Sequence, residues 1–215
     1  MDFFIKDKTK GFSGRYRIIK AKLEKPEHFA LQAEIVEVRT KLNTVTELII
    51  GKKFDSLSQL RRLNEQRKDL SAEMIGMTRQ LNRICKTEVI FADNIVPTVA
   101  RAMIANNLTD ATPTNSMLIS HAALGSNGAA VANGDTQLGT ETYRNIIASI
   151  TNASNIAYAT AFFTATETSG TYAEAGIFSN GTASANSGII VSHVLISVVK
   201  STSETLTIDW ELTIN

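Results

Sequence analysis

Cysteine is almost missing from these 215 residues. Cys85 stands alone, which excludes an intrachain disulfide framework, and with only three scattered histidines a cysteine-based zinc site lacks its ligands. No run approaches the ~18 consecutive apolar residues of a membrane-spanning helix. The opening Met1-Asp2-Phe3-Phe4-Ile5-Lys6 lacks the long apolar stretch of a secretory signal. Phosphate loops, nucleophile elbows and zinc motifs are also absent. Net charge is nearly absent too, at +1. What is present is a 43% hydrophobic composition, enough to bury a core and too apolar for a disordered chain. We therefore expect a soluble protein of a reducing or redox-indifferent compartment. Composition names no activity.

The near-zero charge is the sum of two unlike halves. Residues 1–100 hold 19 Lys+Arg against 13 Asp+Glu, a net +6, and residues 101–215 hold 3 against 8, a net −5. Ser+Thr number 11 in residues 1–108 and 30 in residues 109–215. So sharp a change predicts two modules joined at 109–115, where Thr, Asp, Pro and Asn form a connecting run. The expected order is a basic arm at 1–25, a helical module at 26–108, the linker, and a β domain at 116–215.

Pro26 and Glu27 suit a first helical turn. Leu31, Ile35, Val38, Leu42, Val45 and Ile49 then follow at spacings of 4, 3, 4, 3 and 4, a heptad stripe that Gly51 ends. Ser56-Leu57-Ser58-Gln59 fits a capping box and opens a second helix, read as running through 56–90. Its stripe is Leu60, Leu63, Arg67, Leu70, Met74, Met77, Leu81 and Ile84. A third helix is expected from Pro97 towards Leu108. The stripes need partners, either each other in a hairpin or copies of themselves in an oligomer. In the second case the seam comprises Leu31, Ile35, Val38, Leu42, Val45, Ile49, Leu70, Met74, Met77 and Leu81.

After residue 116 the period changes. Thr205 to Ile214 alternates polar and apolar without a fault, Ile189 to Val199 is rich in β-branched residues, and Ile156 to Thr166 alternates with alanines. Gly-, Asn- and Ser-rich breaks separate these runs, as in an antiparallel sandwich or barrel-like domain. The expected fold class is α+β: an elongated N-terminal coiled-coil module, then an antiparallel all-β sandwich-like domain.

Four segments carry a family resemblance. They are Ser120-His121-Ala122-Ala123-Leu124-Gly125, Gly134-Asp135-Thr136-Gln137-Leu138-Gly139-Thr140-Glu141-Thr142-Tyr143-Arg144, Tyr172-Ala173-Glu174-Ala175-Gly176-Ile177-Phe178, and the closing run from Lys200 to Trp210. In this order they resemble the C-terminal domains of bacteriophage tail- and neck-fibre proteins, over about residues 116–215. Ser126-Asn127 departs from the Thr-Gly common in that pattern, and the loop before Gly134 lacks its usual proline. The resemblance implies a virion structural protein, commonly a homotrimer, that joins other virion proteins. Loops at 125–140 and 179–188 would face a partner or a host surface glycan or receptor.

The candidates for chemistry are few. Glu141 and Arg144 read as an ion pair that holds a loop, since no nucleophile or metal partner accompanies them. Asp209 and Glu211 share one strand face and could flank a sugar, but they also read as the wet side of an amphipathic strand. Trp210 is a core residue by its place in the alternation, or a sugar platform in the runner-up reading of a carbohydrate-binding module on a helical adaptor. His28, His121 and His193 would meet a metal only if trimer symmetry gathered copies. The basic run from Lys6, Lys8 and Lys10 through Arg15, Arg17, Lys20, Lys22 and Lys25 suits an acidic protein surface better than nucleic acid, because Asp2, Asp7 and Glu24 dilute it. No enzyme and no cofactor are expected.

Overall fold

Eight antiparallel strands dominate the computed structural model, which describes residues 11–110 and 113–215. In chain order the elements are β1 Phe12–Lys22, α1 Pro26–Ile50, α2 Leu57–Ile84, β2 Lys86–Asp93, α3 Thr98–Thr109, β3 Ile119–Gly125, β4 Glu141–Ala153, β5 Ile156–Phe163, β6 Gly170–Ser179, β7 Ile189–Lys200 and β8 Glu204–Ile214. The strand order is β2-β1-β8-β5-β4-β3-β6-β7.

Strand β4 turns the corner between two faces. Its first half pairs with β3, from Glu141 to Ile146, and its second half pairs with β5, from Ile147 to Ala153. The Asn145 side chain marks the switch, donating from Nδ2 to the Phe162 carbonyl at 3.0 Å. The two end strands approach each other and nearly close a barrel. Ile95 exchanges backbone hydrogen bonds of 3.0 and 3.1 Å with His193 on β7. From β1, the Tyr16 hydroxyl lies 3.1 Å from Ser192 Oγ, and Lys20 Nζ donates to the Val199 carbonyl at 3.1 Å. Burial raises the pKa of the Tyr16 phenol, so it stays a neutral donor. The interior of this near-barrel is the main core, with Trp210, Tyr16, Phe163, Ile208 and Leu124 almost wholly buried.

This arrangement corrects the expected fold class. No elongated coiled-coil module precedes a separate sandwich, because both halves of the sequence build one sheet. Residues 12–22, read as part of a basic arm, form β1 and pair along their whole length with β8, from Phe12↔Ile214 to Lys22↔Glu204. Lys86–Asp93, whose residues 86–90 were expected at the end of the second helix, is β2, paired with β1. Arg15, Arg17, Lys20 and Lys22 of the basic run lie on β1, whereas Lys6, Lys8 and Lys10 lie outside the described residues. Residues 111–112 of the expected linker also lie outside them.

Helices α1 and α2 fold back on each other and lie across the sheet. Leu31, Ile35, Val38, Leu42, Met74 and Leu81 share one core with Ala148 on β4 and Phe162 on β5, and Leu70 and Met77 pack at its margin. Val45 is buried and Ile49 half-buried. A second set of buried positions on α1 explains why this is no rod. His28, Gln32, Arg39 and Thr46 run beside the heptad stripe and are buried as well. They widen the covered face beyond a coiled-coil seam, to the width a helix needs when it meets both a helix and a sheet. Their polar ends bond to the sheet's loops. Gln32 Oε1 accepts from the Ala165 amide at 2.8 Å, and Arg39 reaches the Phe162 carbonyl at 3.3 Å and pairs with Glu167.

Candidate functional site

The outer surface of β3, β6 and β7, beyond the part of the sheet that α1 and α2 cover, is roofed by two loops and α3. The loops are those singled out in the sequence, between β3 and β4 and between β6 and β7. Leu138 from the first packs on Ala123, Phe178 and Ile190, with Val99 of α3 alongside. Both loops are held by buried charges.

Glu174, on β6, anchors the first loop. Its carboxylate accepts backbone N–H donors from Gly139 at 2.9 Å, Thr140 at 2.8 Å and Asn127 at 3.3 Å. It also lies 2.9 Å from Nε2 of His193, whose Nδ1 is 2.7 Å from Asp135 Oδ2. One imidazole thus bridges two carboxylates, one at each ring nitrogen. Asp135 in turn accepts from the Ala132 amide at 2.8 Å. The loop therefore closes on a charge-assisted network in which every member has a partner. Glycine is required at the end of β3: a Cβ on Gly125 would lie 2.6 Å from the Thr140 carbonyl oxygen and collide with Glu174.

Glu141 and Arg144 anchor the second loop. Arg144 meets the Glu141 carboxylate through two bonds, Nε to Oε1 at 2.6 Å and Nη2 to Oε2 at 2.7 Å. Its remaining Nη1 donates to the carbonyls of Thr182 and Ser187, each at 3.0 Å, and its guanidinium lies 4.7 Å from the centre of the Phe178 ring. Glu141 also accepts from the Asn186 amide at 3.0 Å. Side-chain exposures of 4% and 1% for Arg144 and Glu141 mark this as a buried pair.

His121 sits beside that pair on β3. Burial, and then the Arg144 guanidinium, push its pKa down to about 4, against the opposing pull of Glu141. Between pH 6.5 and 4 the unfolded chain takes up a proton that the folded chain refuses. Stability is thus complete above pH 6.5 and falls by up to about 3 kcal/mol on acidification. Urea unfolding at pH 7 and pH 4.5 should show this loss in the parent and a smaller one in His121→Phe. Equal losses in both would remove His121 from the account.

The other candidates are scattered. His28, in the first turn of α1, accepts from the Glu24 amide at its Nδ1, at 3.2 Å. Among the described residues no group of His, Cys, Asp and Glu is placed to hold a metal ion. Cys85 is buried at the end of α2. Trp210 is 1% exposed with its Nε1 unpartnered, so it offers no platform to a sugar. Asp209 takes 2.6 Å and 2.8 Å bonds from Arg17 and Thr160, and Glu211 is exposed beside it.

Sequence reasoning missed Glu174 and His193 as one unit, missed Arg39, and gave Lys200 no role beyond its place in the closing segment. Lys200 is buried, donating to the Ala165 carbonyl at 3.1 Å and to that of Thr168, and burial pushes its pKa down to about 8. Glu174 and His193 are each a lone titratable group within an apolar run, the one sequence signal that could have marked them, whereas Arg39 stands between Glu37 and Lys41 and Lys200 ends its run. No family model, curated protein or solved structure matches this chain.

Proposed function

We propose that this chain is a bacteriophage virion structural protein. It is a fibre-adaptor or short-fibre subunit of the tail, neck or collar that self-associates, as a trimer, and binds other virion proteins. One observation carries the reading. Three of the four segments that resemble fibre domains meet at a single buried carboxylate: Gly125 ends the first, Asp135, Gly139 and Thr140 belong to the second, and Glu174 to the third. The fourth supplies Trp210 to the core. Residues as far apart as 125 and 174 thus serve one physical task, holding a polar loop rigid on a sheet. That suits a surface built to be mechanically fixed rather than to turn over substrate. In this reading α1 and α2 form a docking platform on the sheet, not a stalk.

Light scattering of the purified chain should give about three times 23.4 kDa. A monomer at micromolar concentration would defeat the self-assembly. Antiserum to the chain should decorate one appendage of particles released by the host that carries the gene, and unlabelled particles would defeat the virion reading itself.

A further inference from the structure

On the helix-covered face, α2 leaves a trough open between itself and the strands. Two adjoining cavities of about 490 and 300 Å³ share Arg17, Ile75, Arg79, Thr160 and Asp209, so they form one continuous groove. It crosses from β2 to β4, five strands at ~4.8 Å spacing or about 19 Å. Its floor is a hydrogen-bonding surface already set in place. Arg17 is locked to Asp209 and Asp209 to Thr160, while Ser149 and Thr151 add hydroxyls. Tyr158 and Phe91 line it with aromatic rings, and Phe91 is 61% exposed. The α2 wall carries Arg79 and Arg83, one helical turn apart, and among the described residues neither has an ion-pair or hydrogen-bond partner.

We infer that this trough binds an acidic oligosaccharide. Sugar hydroxyls require donors and acceptors side by side, which the Arg17, Asp209, Thr160 and Glu211 floor supplies. The C–H faces of the rings would pack on Phe91 and Tyr158. A carboxylate, sulfate or phosphate on the sugar would be gripped by the two unneutralised guanidinium groups. A single-stranded DNA fits less well, because its sugar–phosphate backbone has no free hydroxyl groups to donate to the Asp209 and Glu211 carboxylates that line the floor. An acidic peptide would find no deep apolar pocket for an anchor residue. The groove would hold its ligand whatever particle carries the chain, so this inference and the virion reading fail separately.

Calorimetric titration tests it with oligogalacturonate, oligosialic acid and sulfated dextran fragments, against neutral maltohexaose, a polyglutamate peptide and single-stranded oligo-dT. At least one acidic oligosaccharide should bind with a submillimolar Kd, and maltohexaose should not. The Arg79→Gln/Arg83→Gln pair should weaken that binding roughly tenfold or more, by loss of charge-assisted hydrogen bonds. Phe91→Ala should weaken it independently. All three side chains lie at the surface of the groove, and thermal unfolding of each variant verifies the fold. Failure of all three acidic sugars to bind overturns the assignment, as does binding indifferent to both sets of changes. Polyglutamate or oligo-dT binding as tightly as the best sugar overturns it as well, in favour of a peptide or nucleic-acid surface.

Discussion

Replacing Glu174 by alanine is expected to cost about 4 kcal/mol of stability, the usual result of removing one partner from a buried charge network. The substitution leaves three loop N–H groups, those of Asn127, Gly139 and Thr140, without their acceptor, and strips His193 of one carboxylate. Water cannot easily replace that carboxylate, because Glu174 is 1% exposed. Glu174→Gln keeps a carbonyl acceptor and should lose less. Two measurements separate the local from the global effect. Urea denaturation reads the total loss, and amide exchange at Gly139 and Thr140 should accelerate even in buffer where the sheet remains protected. If exchange in the loop stays slow, Glu174 is not what holds it.

Leu42→Asp is expected to be as damaging, at about 5 kcal/mol, since it removes a buried leucine and puts a carboxylate in its place. The nature of the damage distinguishes two structures. In an oligomeric stalk the charge would separate subunits and leave each one folded. Here Leu42 is 1% exposed and packs in the core shared by α1, α2 and the sheet. The loss should therefore appear as unfolding of the chain itself, with a lowered melting temperature, rather than as a separation of folded subunits. It should be partly relieved in acid, where the buried carboxyl can be neutral. A change of mass with an unaltered melting curve would return the stripe to an intersubunit seam.

Both expectations turn on side chains whose neighbours are distant in the chain, and this marks where sequence stops. The helices were legible because their partners in pattern lie three and four residues away. Pro26, the Leu31 to Ile49 stripe and the Ser56 cap set α1 and α2 at Pro26–Ile50 and Leu57–Ile84. Strand β8 was legible in the same way, from a period of two. Strands β1 and β2 were not. Along β1, Arg15 and Arg17 alternate with Tyr16 and Ile18, Lys20 follows on the Tyr16 face, and the charge obscures an apolar set that becomes a core face only beside β8, about 190 residues on.

The sequence by itself determined which segments could be helix or strand and that the second half is built of strands. Short-range spacing decides these things, and hydrophobic period needs no fold to act. Three residues apart on a regular strand, Glu141 and Arg144 would face opposite ways; they meet because the β3–β4 pairing shifts register between Leu124 and Gly125. Only the tertiary structure decided what covers what. It spent the heptad stripe on a hairpin and a sheet within one chain and threaded the basic segment between β8 and β2. It also brought Gly125, Asp135, Gly139, Glu174 and His193 to one buried point. A charge in an apolar run is costly wherever it is buried, and only the folded chain says which opposite charge or loop amide offsets it.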